Sequence, residues 1–211
     1  VDQSSRIQAS PASHILSRRT EPKKDECVML VGYGAPPVRR AHQRRERYSM
    51  TIKTAELREM KTDIKQADRA EMAGKLGEAL ASTYVLYQKT QSVHWNVTGP
   101  LFVSVHKLTE AQYEDLAASI DEIAERIRAL GAKTPVGLST YINNSVIDDQ
   151  VEWGDVEAML KQLSGDNLPV ANQMREFVKI AEEADDVFTA DLLTSRIGAL
   201  EEASWMLSAS L

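Results

Sequence analysis

The residues of this chain best suited to chemistry lie between positions 94 and 125. His94 and His106 are the only histidines after residue 49, and Glu110, Asp121 and Glu125 follow them. Imidazole is the commonest side-chain ligand of metals, and carboxylates complete sites for cations such as iron. The pattern therefore predicts a metal site. The plainer alternative is a pair of polar histidines near a turn, followed by a solvated face of carboxylates.

The spacing of these residues limits how they can share an ion. On a helix with about 100° per residue, His106, Glu110, Asp121 and Glu125 share one face, which points about 130° away from the apolar stripe of the same helix. The helix rises about 16 Å from Glu110 to Asp121. Bonds from such ligands to a metal are only about 2.0–2.2 Å long. One chain therefore cannot bring both pairs of ligands to a common ion.

An antiparallel two-fold pairing of this helix with its own copy would remove the conflict. It would place His106 and Glu110 opposite Asp121 and Glu125 of the partner subunit, which creates two identical sites. Alanines at positions 117 and 124 lie on the same face and would allow close approach of the helices. His94 would complete the set across a turn. We therefore expect the complete site to be shared between two chains.

The elements that must position these residues are predicted to be helical. Apolar residues at spacings of three and four predict one helix over 66–95, a second that ends at Leu130, a third from about Asp155 and a fourth from about Asp186. No alternating strand pattern is present in the sequence. Four long helices, one long crossover and two short turns predict an all-α, ferritin-like four-helix bundle.

Two details of the bundle are also predicted. The long connection between the second and third helices is expected to contain a short extra helix near Ser139–Asn144. Gly165 and Pro169 are expected to kink or break the third helix. A di-iron centre inside one bundle would need Glu-x-x-His on two helices, but Gln91 and Val103 stand three residues before the two histidines. That kind of centre is therefore not encoded.

Charge divides the chain into two stretches. Residues 1–49 hold ten Lys/Arg and five Asp/Glu (net +5), which leaves fifteen Lys/Arg and twenty-six Asp/Glu (net −11) for residues 50–211. The first stretch has four prolines and no apolar period, which predicts a flexible basic arm. An equally open alternative is that Met50 is the natural start and that residues 1–49 are a non-native leader. Residues 50–211 are predicted to form the bundle domain.

Composition excludes some classes of protein. The sequence has no apolar run of about 18 residues that would predict a membrane span and no apolar core of a secretory signal. Its single cysteine, Cys27, fits a reducing compartment. We expect a cytoplasmic protein that does not contact membranes.

The chain closely resembles the Dps family, the DNA-binding proteins from starved cells, which are ferritin-like mini-ferritins. The resemblance rests on His94-Trp95-Asn96-Val97-x-Gly99-x-x-Phe102-x-x-x-His106, on Asp121-x-x-Ala124-Glu125-Arg126-Ile127 and on Leu130-Gly131. It implies that one subunit supplies His94, His106 and Glu110 to an iron site, and that its two-fold mate supplies Asp121 and Glu125. The family most often has Asp where this chain has Glu110.

The resemblance also implies a function. Family members form hollow dodecamers, oxidise Fe(II) to Fe(III) with hydrogen peroxide and store the ferric mineral, which protects DNA. Trp95 matches a family tryptophan beside the site that is viewed as a sink for a stray electron, although it could equally be a packing residue. Near the family's three-fold channel lie three acidic pore candidates, for which helix capping is an equal alternative: Asp185, Asp186 and Asp191.

A second function is open if residues 1–49 are native. The basic arm would bind DNA phosphates without reading sequence, and the protein would then be associated with the nucleoid. The DNA-binding candidates are Arg18, Arg19, Lys23, Lys24, Arg39, Arg40, Arg44, Arg45 and Arg47.

Overall fold

The computed structural model describes residues 56–151 and 154–211. Within these ranges it contains five helices and no strand. The helices are α1 (Gln66–Asn96), α2 (Phe102–Ala129), α3 (Leu138–Asn144), α4 (Val156–Glu183) and α5 (Val187–Ser208). The predicted all-α bundle of four long helices, with a short one in the long connection, is confirmed. The basic arm lies outside the described residues.

The four long helices form two tightly packed pairs. Helix α1 packs along α2, and α4 packs along α5. The two pairs are joined mainly by α1 and α4, whereas α2 and α5 touch only briefly. The short helix α3 packs against α1. One flank of α2 is therefore left largely uncovered by the rest of the described chain.

Two clusters of buried apolar side chains form the core. The larger one runs along the bundle and includes Leu76, Leu80, Ile123 and Ile127, each fully buried. The smaller one lies where α1 ends and α2 begins, and it consists of Val93, Val97, Val105, Met159, Leu160, Leu163 and Leu207. Because burial of apolar surface drives folding, the smaller cluster fixes the ends of α1 and α2 relative to each other.

Gly131 stands directly after the cap of α2. Its φ of +94° is in the left-handed region that favours glycine after a helix. A side chain at this position would also come within 2.7 Å of the backbone oxygen of Arg58. The amide of Arg58 donates to the carbonyl of Gly131 at 2.9 Å, so the segment before α1 is fastened to the end of α2.

The predicted break in the third long helix is wrong, because α4 continues through both Gly165 and Pro169. Pro169 lacks an amide hydrogen and cannot bond the carbonyl of Gly165, one turn earlier. Gly165 is exposed, so water can satisfy that carbonyl. Buried apolar residues before and after the proline keep both halves of the helix on the core: Leu160, Leu163, Val170 and Met174.

In the part of the chain that the structure describes, no helix is both long enough and apolar enough to cross a membrane.

Candidate metal centre

His94 and His106 meet where α1 ends and α2 begins. Their imidazole rings stack with centroids 3.8 Å apart and an angle of 19° between the ring planes. The Nδ1 atom of His94 lies 2.9 Å from the backbone oxygen of His106, and the Nδ1 atom of His106 lies 2.9 Å from the backbone oxygen of His94. Each ring therefore holds the backbone of the other residue.

This reciprocal arrangement determines which nitrogen of each ring carries the hydrogen that faces the carbonyl. A carbonyl oxygen can only accept a hydrogen bond, so each Nδ1 must carry the hydrogen. In the neutral imidazole the lone pair is then on Nε2, which is the form that binds metals. A ligand histidine usually donates its other ring nitrogen to such a carbonyl, which orients the ring. The two histidines are thus already prepared as a pair of nitrogen ligands.

The local sequence explains why the two rings meet. Each histidine follows a fully buried valine, Val93 on α1 and Val105 on α2, which are members of the smaller core cluster. The intervening turn includes Gly99, whose φ of +89° lets the chain reverse. With the valines directed into the core, the next residues lie at the edge of the helix pair. His94 is 6% exposed and His106 is half-buried.

Glu110 lies one turn after His106, but its carboxylate is already paired. The Nζ atom of Lys107 is 2.6 Å from Oε2 of Glu110. This hydrogen bond lowers the pKa of the Glu110 carboxyl, partial burial opposes the shift, and the charges of Lys107, His94 and His106 add to the lowering. Glu110 is therefore held ionised close to the histidines, in the state that a cation needs.

Asp121 and Glu125 lie farther along α2 and are both exposed. Across residues 56–151 and 154–211, no three His, Cys, Asp or Glu side chains converge in a way that could hold a metal ion. Glu125 lines an open cavity of about 560 Å³ between α2 and α5, together with Glu122 and Asp191. The described subunit thus presents the two histidines and these two carboxylates as separate groups.

Trp95 directly follows His94 and is 65% exposed. The first turn of α2 adds three more apolar side chains at the surface: Leu101, Phe102 and Val103. The Phe102 ring is 5.0 Å from the His106 ring, centroid to centroid. An exposed apolar group of this kind beside a candidate site is characteristic of surfaces that are covered by another molecule.

The three acidic pore candidates have different environments. Asp186 caps α5, since its carboxylate accepts hydrogen bonds from the Thr189 amide at 3.0 Å and the Thr189 hydroxyl at 2.6 Å. It also pairs with Arg126 at 2.6 Å and is only 2% exposed. Its carboxylate is therefore committed within the subunit, as the capping alternative predicts. Asp185 and Asp191 are exposed. The DNA-binding candidates lie outside the described residues.

Two neighbours of the site were not predicted from the sequence. Lys107 pairs with Glu110, and the spacing of three residues on a helix could have indicated that contact. Tyr113 packs edge-on against His94 with ring centroids 5.1 Å apart. Because these two residues are on different helices, no local spacing could have indicated the second contact.

Comparison with known proteins identifies the family to which this bundle is similar. Residues 73–211 match the model of the ferritin-like domain family. The chain is 35% identical over 136 residues to "DNA protection during starvation protein 2" of Bacillus anthracis, covering 64% of this chain and 93% of that protein. It is 32% identical over 152 residues to the DNA protection during starvation protein of Brevibacillus brevis, covering 72% of this chain and 99% of that protein.

Solved structures give the same result. The crystal structure of the Dps protein from Vibrio cholerae O1, described as a member of a broad superfamily of ferritin-like diiron-carboxylate proteins, superposes with a TM-score of 0.67 and 30% identity. The match covers 72% of this chain and 98% of that one. The bundle, the histidine pair between its first two helices and these similarities lead to one conclusion: the chain belongs to the Dps family of ferritin-like proteins.

Proposed function

We propose that this protein oxidises Fe(II) at ferroxidase sites shared between two-fold related subunits, uses hydrogen peroxide as the oxidant and stores the ferric product inside a hollow dodecamer. Iron is both substrate and cargo. Removing Fe(II) and peroxide together would protect DNA from the radicals that they otherwise generate. The protein would act as a cytoplasmic oxidoreductase on metal ions.

The observation that carries the proposal is the reciprocal bonding of His94 and His106. Both imidazole rings are held through Nδ1, which leaves Nε2 as the nitrogen that can bind a metal, and an ionised Glu110 lies one turn from His106. Such nitrogen and oxygen donors suit Fe(II). The set is too small to enclose an ion, which agrees with a site that must bind Fe(II), release Fe(III) and leave room for peroxide.

The remaining ligands would come from Asp121 and Glu125 of the partner subunit. The uncovered flank of α2 and the exposed apolar residues of its first turn support pairing with a second copy there. Two ferrous ions would each supply one electron to one peroxide, so that two Fe(II), one H₂O₂ and two protons give two Fe(III) and two water molecules. No hydroxyl radical is released when both electrons arrive together.

The role of the histidines can be tested with the double variant His94→Ala/His106→Ala. We expect it to lose rapid peroxide-driven Fe(II) oxidation, followed by absorbance of the ferric product, while its shell remains intact by size-exclusion chromatography. The variant His14→Ala/His42→Ala removes the other two histidines and serves as the matched control. Wild-type kinetics in the first variant would contradict the assignment.

A second function, compaction of DNA, is favoured by the separation of charge along the chain. A stretch of net charge +5 precedes a body of net charge −11, so the arm rather than the body would approach a polyanion. Twelve such arms on one shell would add avidity. A gel-shift comparison of the full chain with a chain that starts at Met50 tests this proposal. Loss of the shift in the shorter chain is expected, whereas equal binding would exclude the arm.

A further inference from the structure

A cavity of about 280 Å³ lies within the helix bundle. Its wall includes Thr90 of α1, Asn167 of α4 and several residues of both α2 and α5. Helices α2 and α5 supply most of the lining, and they are also the two long helices that touch only briefly. None of the five proposed iron ligands lines it. The sparse packing of α2 against α5 has therefore left a space that is separate from the candidate metal centre.

The wall of this cavity is formed mainly by small or apolar side chains. They are Leu108, Ala111, Leu116, Ala199, Leu200, Ala203 and Met206. Protein interiors are close-packed and contain few voids larger than a water molecule, so an open space of this size is unusual. An apolar cavity of about 150 Å³ is enough to hold benzene. The larger volume here has room for a molecule of two fused rings.

Two buried polar side chains complete the wall. Thr90 is 2% exposed and Asn167 is 4% exposed. The Thr90 hydroxyl donates to the carbonyl of Leu86 at 2.8 Å, and Nδ2 of Asn167 donates to the carbonyl of Leu163 at 2.7 Å. These bonds leave the Thr90 oxygen as an acceptor, and they leave Asn167 its amide oxygen and one N–H. A hydroxyl group matches this set, because it can both donate and accept.

The charged side chains at the cavity favour an uncharged molecule. The buried Arg196 guanidinium donates to the Asp115 carboxylate with both of its terminal nitrogens, and Glu202 is exposed. An ion inside the cavity would have no free partner of opposite charge, and burial of an unpaired ion is costly. Nε2 of Gln112 lies 3.5 Å from the carbonyl oxygen of Ala203, which is a weak hydrogen bond that can open to admit a molecule.

We infer that this cavity binds an uncharged, mostly apolar molecule that has two fused rings and a single hydroxyl group. The leucines and alanines would bury the rings, and Thr90 and Asn167 would hold the hydroxyl group. Binding requires neither a metal nor a second subunit, so the inference goes beyond the proposed iron chemistry and does not depend on it. A molecule that binds only the folded chain also raises its stability.

The test uses the full, assembled chain without iron and two probes, 2-naphthol and naphthalene. Bound probe is measured by equilibrium dialysis, and the thermal midpoint is measured with and without 2-naphthol. The variant Ala203→Leu fills the cavity, and Ala199→Leu fills it from a second position if the first variant does not fold. Ala67→Leu adds the same volume at an exposed position at the start of α1 and is the matched control.

We expect the wild type and Ala67→Leu to bind 2-naphthol and to gain thermal stability from it. The cavity-filling variant, with its shell intact by size-exclusion chromatography, should bind 2-naphthol more weakly by about tenfold, because overpacking a filled space is unfavourable. Absence of binding to the wild type, or equal binding to the filled variant, would overturn the inference.

The role of the two polar side chains is tested with Thr90→Val/Asn167→Leu. Both replacements keep the approximate shape and remove the hydrogen-bonding groups. We expect this variant to retain naphthalene binding, whereas its preference for 2-naphthol over naphthalene should fall about threefold or more, the size of one net hydrogen bond. The ratio of the two dissociation constants in the variant and in the wild type measures this change. An unchanged ratio would mean that the cavity does not recognise the hydroxyl group.

Discussion

Lys107 pairs with the Glu110 carboxylate that we propose as an iron ligand, and it would compete with iron for it. Its ammonium group is 2.6 Å from Glu110, and both side chains reach solvent. Such exposed pairs are weak because water and salt screen them. We therefore expect an incoming Fe(II) ion to displace Lys107 at little cost.

We expect Lys107→Met to bind Fe(II) a few-fold more tightly than the wild type at low ionic strength, because the competing cation is gone. Titration calorimetry under anaerobic conditions measures the change. Lys161→Met is the matched control, since Lys161 forms a similar exposed pair with Glu157 on α4 at 2.5 Å. Weaker binding in Lys107→Met would mean that the lysine assists the site rather than competing with it.

The sequence identified the two histidines as candidate ligands but not the hydrogen bonds between each ring and the backbone of the other residue. Residue type and spacing were enough to predict a metal site at His94 and His106. The reciprocal hydrogen bonds depend on how α1 and α2 pack across the turn, and no periodicity encodes that detail. The contact of Tyr113 with His94 was unpredictable for the same reason. Whether Asp121 and Glu125 complete the site stays a prediction.

The start of α5 is held by a small buried network around Asp186. Its carboxylate caps the helix, pairs with Arg126 of α2 and bonds the Thr189 hydroxyl. Burial raises the pKa of the Asp186 carboxyl, but the hydrogen bonds from Arg126 and Thr189 outweigh it, so the pKa lies below its ordinary value. This network links α2 to α5, as the ion pair of Arg196 with Asp115 does farther along the two helices.

We expect Asp186→Ala to destabilise the subunit by about 3 kcal/mol, because it removes the helix cap and the carboxylate partner of the half-buried Arg126 side chain. Asp186→Asn should cost about 1 kcal/mol less, since asparagine is also a good helix cap. Thermal midpoints at matched protein concentration report both changes. Similar midpoints for the two variants would show that the cap contributes nothing.

The same network gives a pH dependence of defined sign. A folded-state pKa below the ordinary value of about 3.9 means that Asp186 stabilises the folded chain fully above that pH. The contribution is lost as the pH falls through the lower, folded-state pKa. The difference in thermal midpoint between the wild type and Asp186→Asn should therefore be constant near neutral pH and shrink below about pH 3.9. A difference that grows on acidification would contradict the assignment.

The long helices themselves were predictable, because apolar residues recur at spacings of three and four along each of them. The continuation of α4 through Pro169 was not predictable. A proline inside a helix usually signals a break. Local propensity alone therefore predicted a break at Pro169. Packing of both halves of α4 on the core overrides it, and this contribution becomes visible only in the folded chain.

The whole molecule is predicted to be active only as an assembly, because each subunit offers two incomplete half-sites. A His94→Ala/His106→Ala chain and an Asp121→Ala/Glu125→Ala chain should each be inactive alone. Across a two-fold pair of one chain of each kind, one site receives both intact halves and the other receives neither. Mixed shells should therefore recover part of the Fe(II) oxidation rate.

The recovery is measured after subunits are dissociated, mixed and reassembled, with mixed shells verified by native mass spectrometry. Unmixed shells of each variant, treated in the same way, are the control. Absence of activity in verified mixed shells would mean that the four residues do not complete one another's sites across a subunit boundary.

The reciprocal hydrogen bonds of His94 and His106 have a consequence for the continuity of the chain. Each ring donates a hydrogen bond to the backbone oxygen of the other residue. These bonds hold the end of α1 to the start of α2 independently of the peptide that joins them. Gly99 lies in that joining turn, and a Cβ atom at this position would have no neighbour within 4 Å. We expect the iron chemistry to survive a proteolytic cut or a short peptide insert at this turn.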